Sequence, residues 1–114
     1  MSTATKFKMD AEIARIIVNQ LGGKKFQMMT GAKEFGYSPT DLTFKIGKNA
    51  AGVTHVKIVY DYSMDLYNIE FSKRRFSTKS LEWSIKVVEA LEGVYSEDMV
   101  SHFERVTGLY TRLF

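Results

Sequence analysis

Lys73-Arg74-Arg75-Phe76 places three cations beside an aromatic ring, the residue types that hold a phosphate backbone and stack on a base. Phe71, just before it, belongs to an alternating stretch and reads as core, whereas Phe76 stands outside any periodic segment. With Tyr62 and Tyr37 it makes an expected exposed aromatic set near the basic connector. The cluster also has a purely structural reading, because sheets carry basic residues on free strands to discourage edge-to-edge association. Lys24, Lys25 and Lys33 are the other expected phosphate contacts, each next to a glycine-bearing turn. Gly22-Gly23-Lys24-Lys25 has phosphate-loop composition, but a phosphate loop needs a strand before it, a helix after it, and Ser or Thr following the lysine. Here a helix is expected before and a strand after, so backbone amides would not converge on an anion. Thr30-Gly31-Ala32-Lys33 would bring a hydroxyl and an ammonium together at a strand end, and a simple turn with positive φ at Gly31 explains it equally well.

Other chemistries find no matching pattern. The chain of 114 residues has no cysteine, which removes disulfides, thiolate metal sites and a cysteine nucleophile. His55 and His102 are far apart in sequence, with no second histidine one helical turn away. No G-x-S-x-G elbow selects a serine nucleophile, and Asp61 and Asp65 bracket a turn, where aspartates bond to local backbone. No catalytic, cofactor-binding or metal-ligating residue is therefore expected, and the protein reads as a non-enzyme without cofactors. No apolar run approaches membrane-spanning length, and Met1 to Lys8 lacks the apolar core of a secretory signal. A cytoplasmic location in a bacterial host is the corresponding expectation. Residues 1–60 hold nine Lys or Arg against four acids, and residues 61–114 hold seven against nine, so attraction for polyanions would concentrate in the first half.

The elements that must position these residues follow from periodicity. Met9, Ile13, Ile16, Ile17 and Leu21 recur at helical steps, and Gly22-Gly23 ends that helix. Lys25 to Met29 reads as a strand and Gly31 to Thr40 as a loop around the only proline, Pro39. Leu42-Phe44-Ile46, Val56-Ile58-Tyr60 and Tyr67-Ile69-Phe71 alternate as strands joined by short connections. Ser72 to Ser77 reads as a connector. Leu81, Ile85, Val88 and Leu91 then space as a helix capped by Thr78 or Ser80 and closed by Gly93, and Ser96 opens a last helix with Met99, Val100, Phe103 and Val106, ended by Gly108. Leu109 to Phe114 would dock back on the body. The expected fold is α+β: an N-terminal helix, an antiparallel meander of about four strands, and two C-terminal helices on one face, with residues 1–8 a flexible arm and residues 9–114 a single domain.

Leu21-Gly22-Gly23-Lys24-Lys25-Phe26-Gln27-Met28-Met29-Thr30-Gly31-Ala32-Lys33, with Asp65 to Phe71 and Thr107-Gly108-Leu109-Tyr110-Thr111, resembles small uncharacterised proteins of bacteriophages and prophages that share an LGGxxFxxMTGAK segment. The resemblance covers most of the chain and implies a mobile-element setting rather than an activity. It implies an accessory protein that binds a host or phage macromolecule. A protein partner, met through exposed Met and Tyr side chains such as Met28, Met29 and Met64, is the favoured expectation. Nucleic acid bound through Lys24, Lys25, Lys33, Lys73, Arg74, Arg75 and Phe76 is the alternative, and a small enzyme with an unrecognised site is the third.

Overall fold

A computed structural model describes residues 7–111. Asp10 caps the first helix, its Oδ1 accepting from Ile13 N at 2.9 Å, and α1 runs Ala11–Leu21. Ala14, Ile17 and Leu21 form its buried stripe. Ile16, next to Ile17 and so about 100° away around the axis, is 46% exposed rather than in the stripe.

Gly22, at φ 129°, turns the chain, and a second helix, α2 (Gly23–Thr30), starts at once. The expected strand Lys25 to Met29 is therefore helical. Phe26 is fully buried while Met28, which would share its face on a strand, is 83% exposed. Phe26 and Thr30, four residues apart, make the buried side, and Thr30 Oγ1 closes the helix by donating to Phe26 O at 2.6 Å.

Five strands follow among the described residues: β1 (Lys33–Tyr37), β2 (Asp41–Lys45), β3 (His55–Asp61), β4 (Leu66–Ser77) and β5 (Glu82–Val94). They form one antiparallel sheet in sequential order, so the α+β class and the meander hold while the strand count rises. β1 lies inside the expected loop. A bulge between Lys33 and Gly36, with Glu34 at φ 56°, breaks its alternation. The expected connector Ser72 to Ser77 is the outer part of β4. The expected helix from Leu81 to Leu91 is β5, and Gly93, rather than closing a helix, donates its N–H to Asn68 Oδ1 at 3.0 Å. A 3-10 turn (Ser96–Asp98) leads into α3 (Met99–Thr107), ended by Gly108 as the spacing predicts. A single C-terminal α-helix thus replaces the expected two.

The helices cover one sheet face. Leu42, Phe44, Val56, Ile58, Tyr67, Ile69 and Phe71 point into that side and are nearly inaccessible to solvent. Phe26 meets Phe44 edge-on at 5.8 Å and Phe103 at 5.0 Å, and Phe103 meets Phe71 at 6.2 Å, so one aromatic chain ties α2, the sheet and α3 together. The alternate residues Thr43, Lys57, Val59, Asn68 and Glu70 remain partly exposed on the opposite, uncovered face. Among the described residues no helix is long and apolar enough to cross a membrane.

Of the expected N-terminal arm, residues 1–6 lie outside the described residues, while Phe7 bridges to Asp61 and Lys8 N donates to Tyr60 O. At the other end Leu109 packs on the core and Thr111 is buried against Glu104 Oε2, with residues 112–114 outside the description.

Gly31, at φ 71°, sits against the backbone of Gly47, where a Cβ would come within 3.2 Å of Gly47 Cα and N. Gly47 N donates to Thr30 O at 2.8 Å, which locks α2 to the β2–β3 loop. Gly31→Ala is expected to cost about 1–2 kcal/mol from the left-handed conformation alone, with the contact adding to it. Gly36→Ala, where a Cβ meets open space, is the control. Urea midpoints of the two variants check this.

Candidate macromolecule-binding arm

Strands β4 and β5 outrun the sheet. His55, the first residue of β3, pairs with Ser72, and beyond that point β4 pairs only with β5. Lys73 pairs with Lys86, Arg74 with Ile85, Arg75 with Ser84, Phe76 with Trp83, and Ser77 with Glu82. These five pairs make a two-stranded ribbon about 17 Å long at roughly 3.4 Å per residue. Thr78 to Leu81 turn the ribbon, with Leu81 N donating to Ser77 O at 2.8 Å.

Directly opposed residues share a face and successive residues alternate, so the ribbon has two unlike sides. Arg74, Phe76, Trp83, Ile85 and Val87 share one side with Ser72, continuous with the uncovered face of the sheet. Trp83 is 66% exposed and Ile85 60%, and the Trp83 and Phe76 rings lie 5.3 Å apart. Lys73, Arg75 and Lys86 share the other side with Ser84. A bulge creates this arrangement. Phe71 pairs with Glu89 and Ser72 with Val87, leaving Val88 unpaired, so Glu89 faces α3 while Val87, Ile85 and Trp83 face away from it. Glu89 accepts both ends of the Arg105 guanidinium, at 2.7 and 3.3 Å, which fixes the root of the arm to α3 and holds the Glu89 carboxyl below its ordinary pKa.

At the root, cations gather on the uncovered face. Lys33 opposes Lys45, Lys45 opposes His55, and the Arg74 charge acts on His55 from the neighbouring strand. Thr54 Oγ1 lies 2.7 Å from His55 Nδ1 and accepts from Arg74 N at 2.8 Å. Arg74 Nε is buried and has no hydrogen-bond partner among the described residues. Burial, then the charges of Arg74 and Lys45, lower the His55 pKa from its ordinary value, against a weaker opposing pull from Glu34. The unfolded chain therefore binds a proton at His55 more readily than the folded one. The contribution of His55 to stability is expected to be flat above about pH 6.5, the free histidine value, and to fall as pH drops below it. His55→Gln should flatten that acid limb in urea titrations repeated across pH.

The structure splits the residues expected to touch nucleic acid. Arg74, Phe76 and Lys33 lie on the uncovered face, and Lys73 and Arg75 lie on the other side of the arm with Lys86. Lys24 and Lys25 are exposed in the first turn of α2, on the helix-covered side. The exclusion of a phosphate loop rested partly on a strand after the glycines, and this is corrected: α2 follows them. The other grounds stand, since a helix precedes the glycines and Lys25 occupies the place of the Ser or Thr. The aromatic set does not assemble. Tyr62 sits in the turn before Leu66, and β4 covers about 33 Å from Leu66 to Phe76 at roughly 3.3 Å per residue, while Tyr37 is on the far edge strand. Asp61 Oδ1 accepts from Ser63 N, Ser63 Oγ and Met64 N, the local turn bonding its position predicts. Asp65 accepts the Tyr60 hydroxyl at 2.7 Å, and that bond, aided by burial, pushes the phenol up to about 12.

Open grooves also mark the surface among the described residues. One, of about 290 Å³, is lined mainly by Ala11, Ala14, Val18, Phe35 and Leu42, and another, of about 200 Å³, lies over Val59, Asn68 and Ala90. Among the described residues no three His, Asp or Glu side chains gather as metal ligands would. Trp83, Ile85, Val87 and Lys86 were missed in the sequence because the unpaired Val88 gave Ile85, Val88 and Leu91 a helical step. The alternation Trp83-Ile85-Val87, rich in β-branched residues, is the signal that finds them. No protein-family model, curated protein or solved structure matches the chain.

Proposed function

We propose that this protein is a non-enzymatic nucleic-acid-binding protein whose β4–β5 arm is the binding element. The observation that carries the reading is the arm itself: from Ser72 to Val88 it holds five cations against one acid, and it exposes an aromatic pair on a ribbon that contributes little to the core. Large apolar side chains on a projecting two-stranded ribbon are not stabilised by burial in the monomer, so they point to a partner. The charge around them selects a polyanion. The mobile-element resemblance fits a binding accessory better than a metabolic enzyme, and a bacterial cytoplasm is its setting.

Association with fluorescein-labelled oligonucleotides, followed by anisotropy across a salt series, tests the reading. With four or five phosphate contacts, log affinity should fall against log salt with a slope near −3, at about 0.7 per single-strand phosphate. Lys73→Glu with Arg75→Glu should weaken binding and flatten the slope. Absence of binding to either single- or double-stranded oligonucleotide at low salt would sink the proposal. The exposed aliphatic side chains Leu81, Ile85 and Val87 favour a second reading, a protein partner with an apolar and acidic surface. Under that reading, affinity would respond to Leu81→Ser and Ile85→Ser while oligonucleotides fail to bind.

A further inference from the structure

We infer that the arm takes single-stranded nucleic acid, with unpaired bases on the Phe76–Trp83 side and the backbone phosphates running across Arg74 toward Lys45 and Lys33. This deepens the nucleic-acid reading and rests on it.

Three observations carry it. The side of the arm continuous with the uncovered sheet face presents mostly rings and methyl groups, Phe76, Trp83, Ile85 and Val87, and offers base edges few hydrogen-bond partners, the Arg74 guanidinium and the Trp83 indole N–H, both of them donors. A duplex shows a groove-borne ribbon only base edges, whose donors and acceptors would be desolvated against that surface without replacement. An unpaired base instead offers its π-face, which stacks on an exposed indole whatever the base. Second, the two rings are 5.3 Å apart and tilted by 57°, so they do not stack flat on one another, and each keeps accessible surface for a base. Third, the cations on this side lie at the foot of the aromatic pair rather than around it. Lys33 directly opposes Lys45, a like-charged juxtaposition that costs stability unless an anion lies between the two. Arg74 Nε, buried without a partner among the described residues, is the donor that a phosphate oxygen would satisfy. Bases at the arm and phosphates at its root describe a strand laid along one continuous surface.

Trp83 is the only tryptophan in the chain, so its fluorescence reports on the proposed platform without interference. The probes are a fifteen-nucleotide thymidine oligomer, which has no secondary structure, and the same oligomer annealed to its adenosine complement, both at low salt with the full-length protein. The single strand is expected to bind at least tenfold tighter than the duplex and to quench Trp83. Trp83→Ala should lower single-strand affinity between about fivefold and about a hundredfold, the worth of one base–aromatic stack, and Trp83→Phe should restore most of it. Because Trp83 lies outside the core, the unfolding midpoint of Trp83→Ala should stay near that of the parent protein, which separates lost stacking from lost structure. Equal or tighter binding of the duplex, or a Trp83→Ala variant that binds the single strand unchanged, would overturn the single-strand assignment and leave nucleic-acid binding standing. Binding of neither probe would remove both.

Discussion

Excising Arg75–Ser84 and joining Arg74 to Ile85 through Asn-Gly is expected to abolish oligonucleotide binding while the protein still unfolds cooperatively near its original midpoint. The prediction combines two separations visible in the fold. Every side chain removed is exposed, and the aromatic chain linking Phe26, Phe44, Phe103 and Phe71 lies entirely in the body. Arg74 opposes Ile85 directly, so a two-residue turn with positive φ can rejoin the strands with their right-handed twist intact. What goes is Phe76, Trp83, Arg75 and Lys79, at once the stacking surface and two of the five arm cations. Losing the stacking surface together with the attraction of two nearby cations should reach about a hundredfold at low salt. Circular dichroism and thermal melts verify the body, and anisotropy reads the binding. Full retention of binding by the shortened protein would show that the arm is not the binding element.

Phe26→Ala is expected to be the most destabilising single substitution in α2, costing about 3–5 kcal/mol as a buried phenylalanine truncated to alanine does. Typical domains have only about 5–15 kcal/mol in total, so this variant should unfold at low denaturant or accumulate poorly. The size of the effect follows from position. Phe26 is fully buried and its ring touches both Phe44 and Phe103, so truncation opens a void where α2, the sheet and α3 meet. Phe26→Leu keeps most of the volume and should lose a smaller part, which keeps the comparison measurable if the alanine variant does not fold. Met28→Ala is the internal contrast: at 83% exposure it should shift the urea midpoint little. Equal losses at the two positions would mean that α2 packs through another face.

Where one face of an element was buried and the other wet, the amino-acid pattern identified it. The Ile17 and Leu21 positions of the α1 stripe, the alternations in β2, β3 and β4, and the α3 stripe through Met99 and Phe103 all have that form, while Ala14 took the buried place in α1 that Ile16 was expected to share. The misreadings have two physical origins. In α2 and β1 the elements are short, α2 burying only Phe26 and Thr30 and β1 only partly burying Phe35, so tertiary contacts of Phe26 and Phe35 decide their form instead of local period. In β5 the bulge at Val88 shifts parity midway and both sides of the outer strand are exposed, so no buried face constrains the period. The same circumstance explains the site. Lys73, Arg74, Arg75 and Phe76 were legible as a basic aromatic cluster, but only a ribbon brings Trp83 opposite Phe76, and only the registers of three strands bring Lys33, Lys45 and His55 into line.

The outer margin of β5 has no neighbouring strand among the described residues, so a run of peptide groups stays available to any chain that can approach it. Copies of this molecule qualify, and mutual repulsion between positively charged hairpins is expected to oppose their approach. Added salt screens that repulsion within about 10 Å at 0.1 M. Light scattering by the ligand-free protein should therefore climb with ionic strength over the range in which its oligonucleotide complex dissociates, and the two curves should cross.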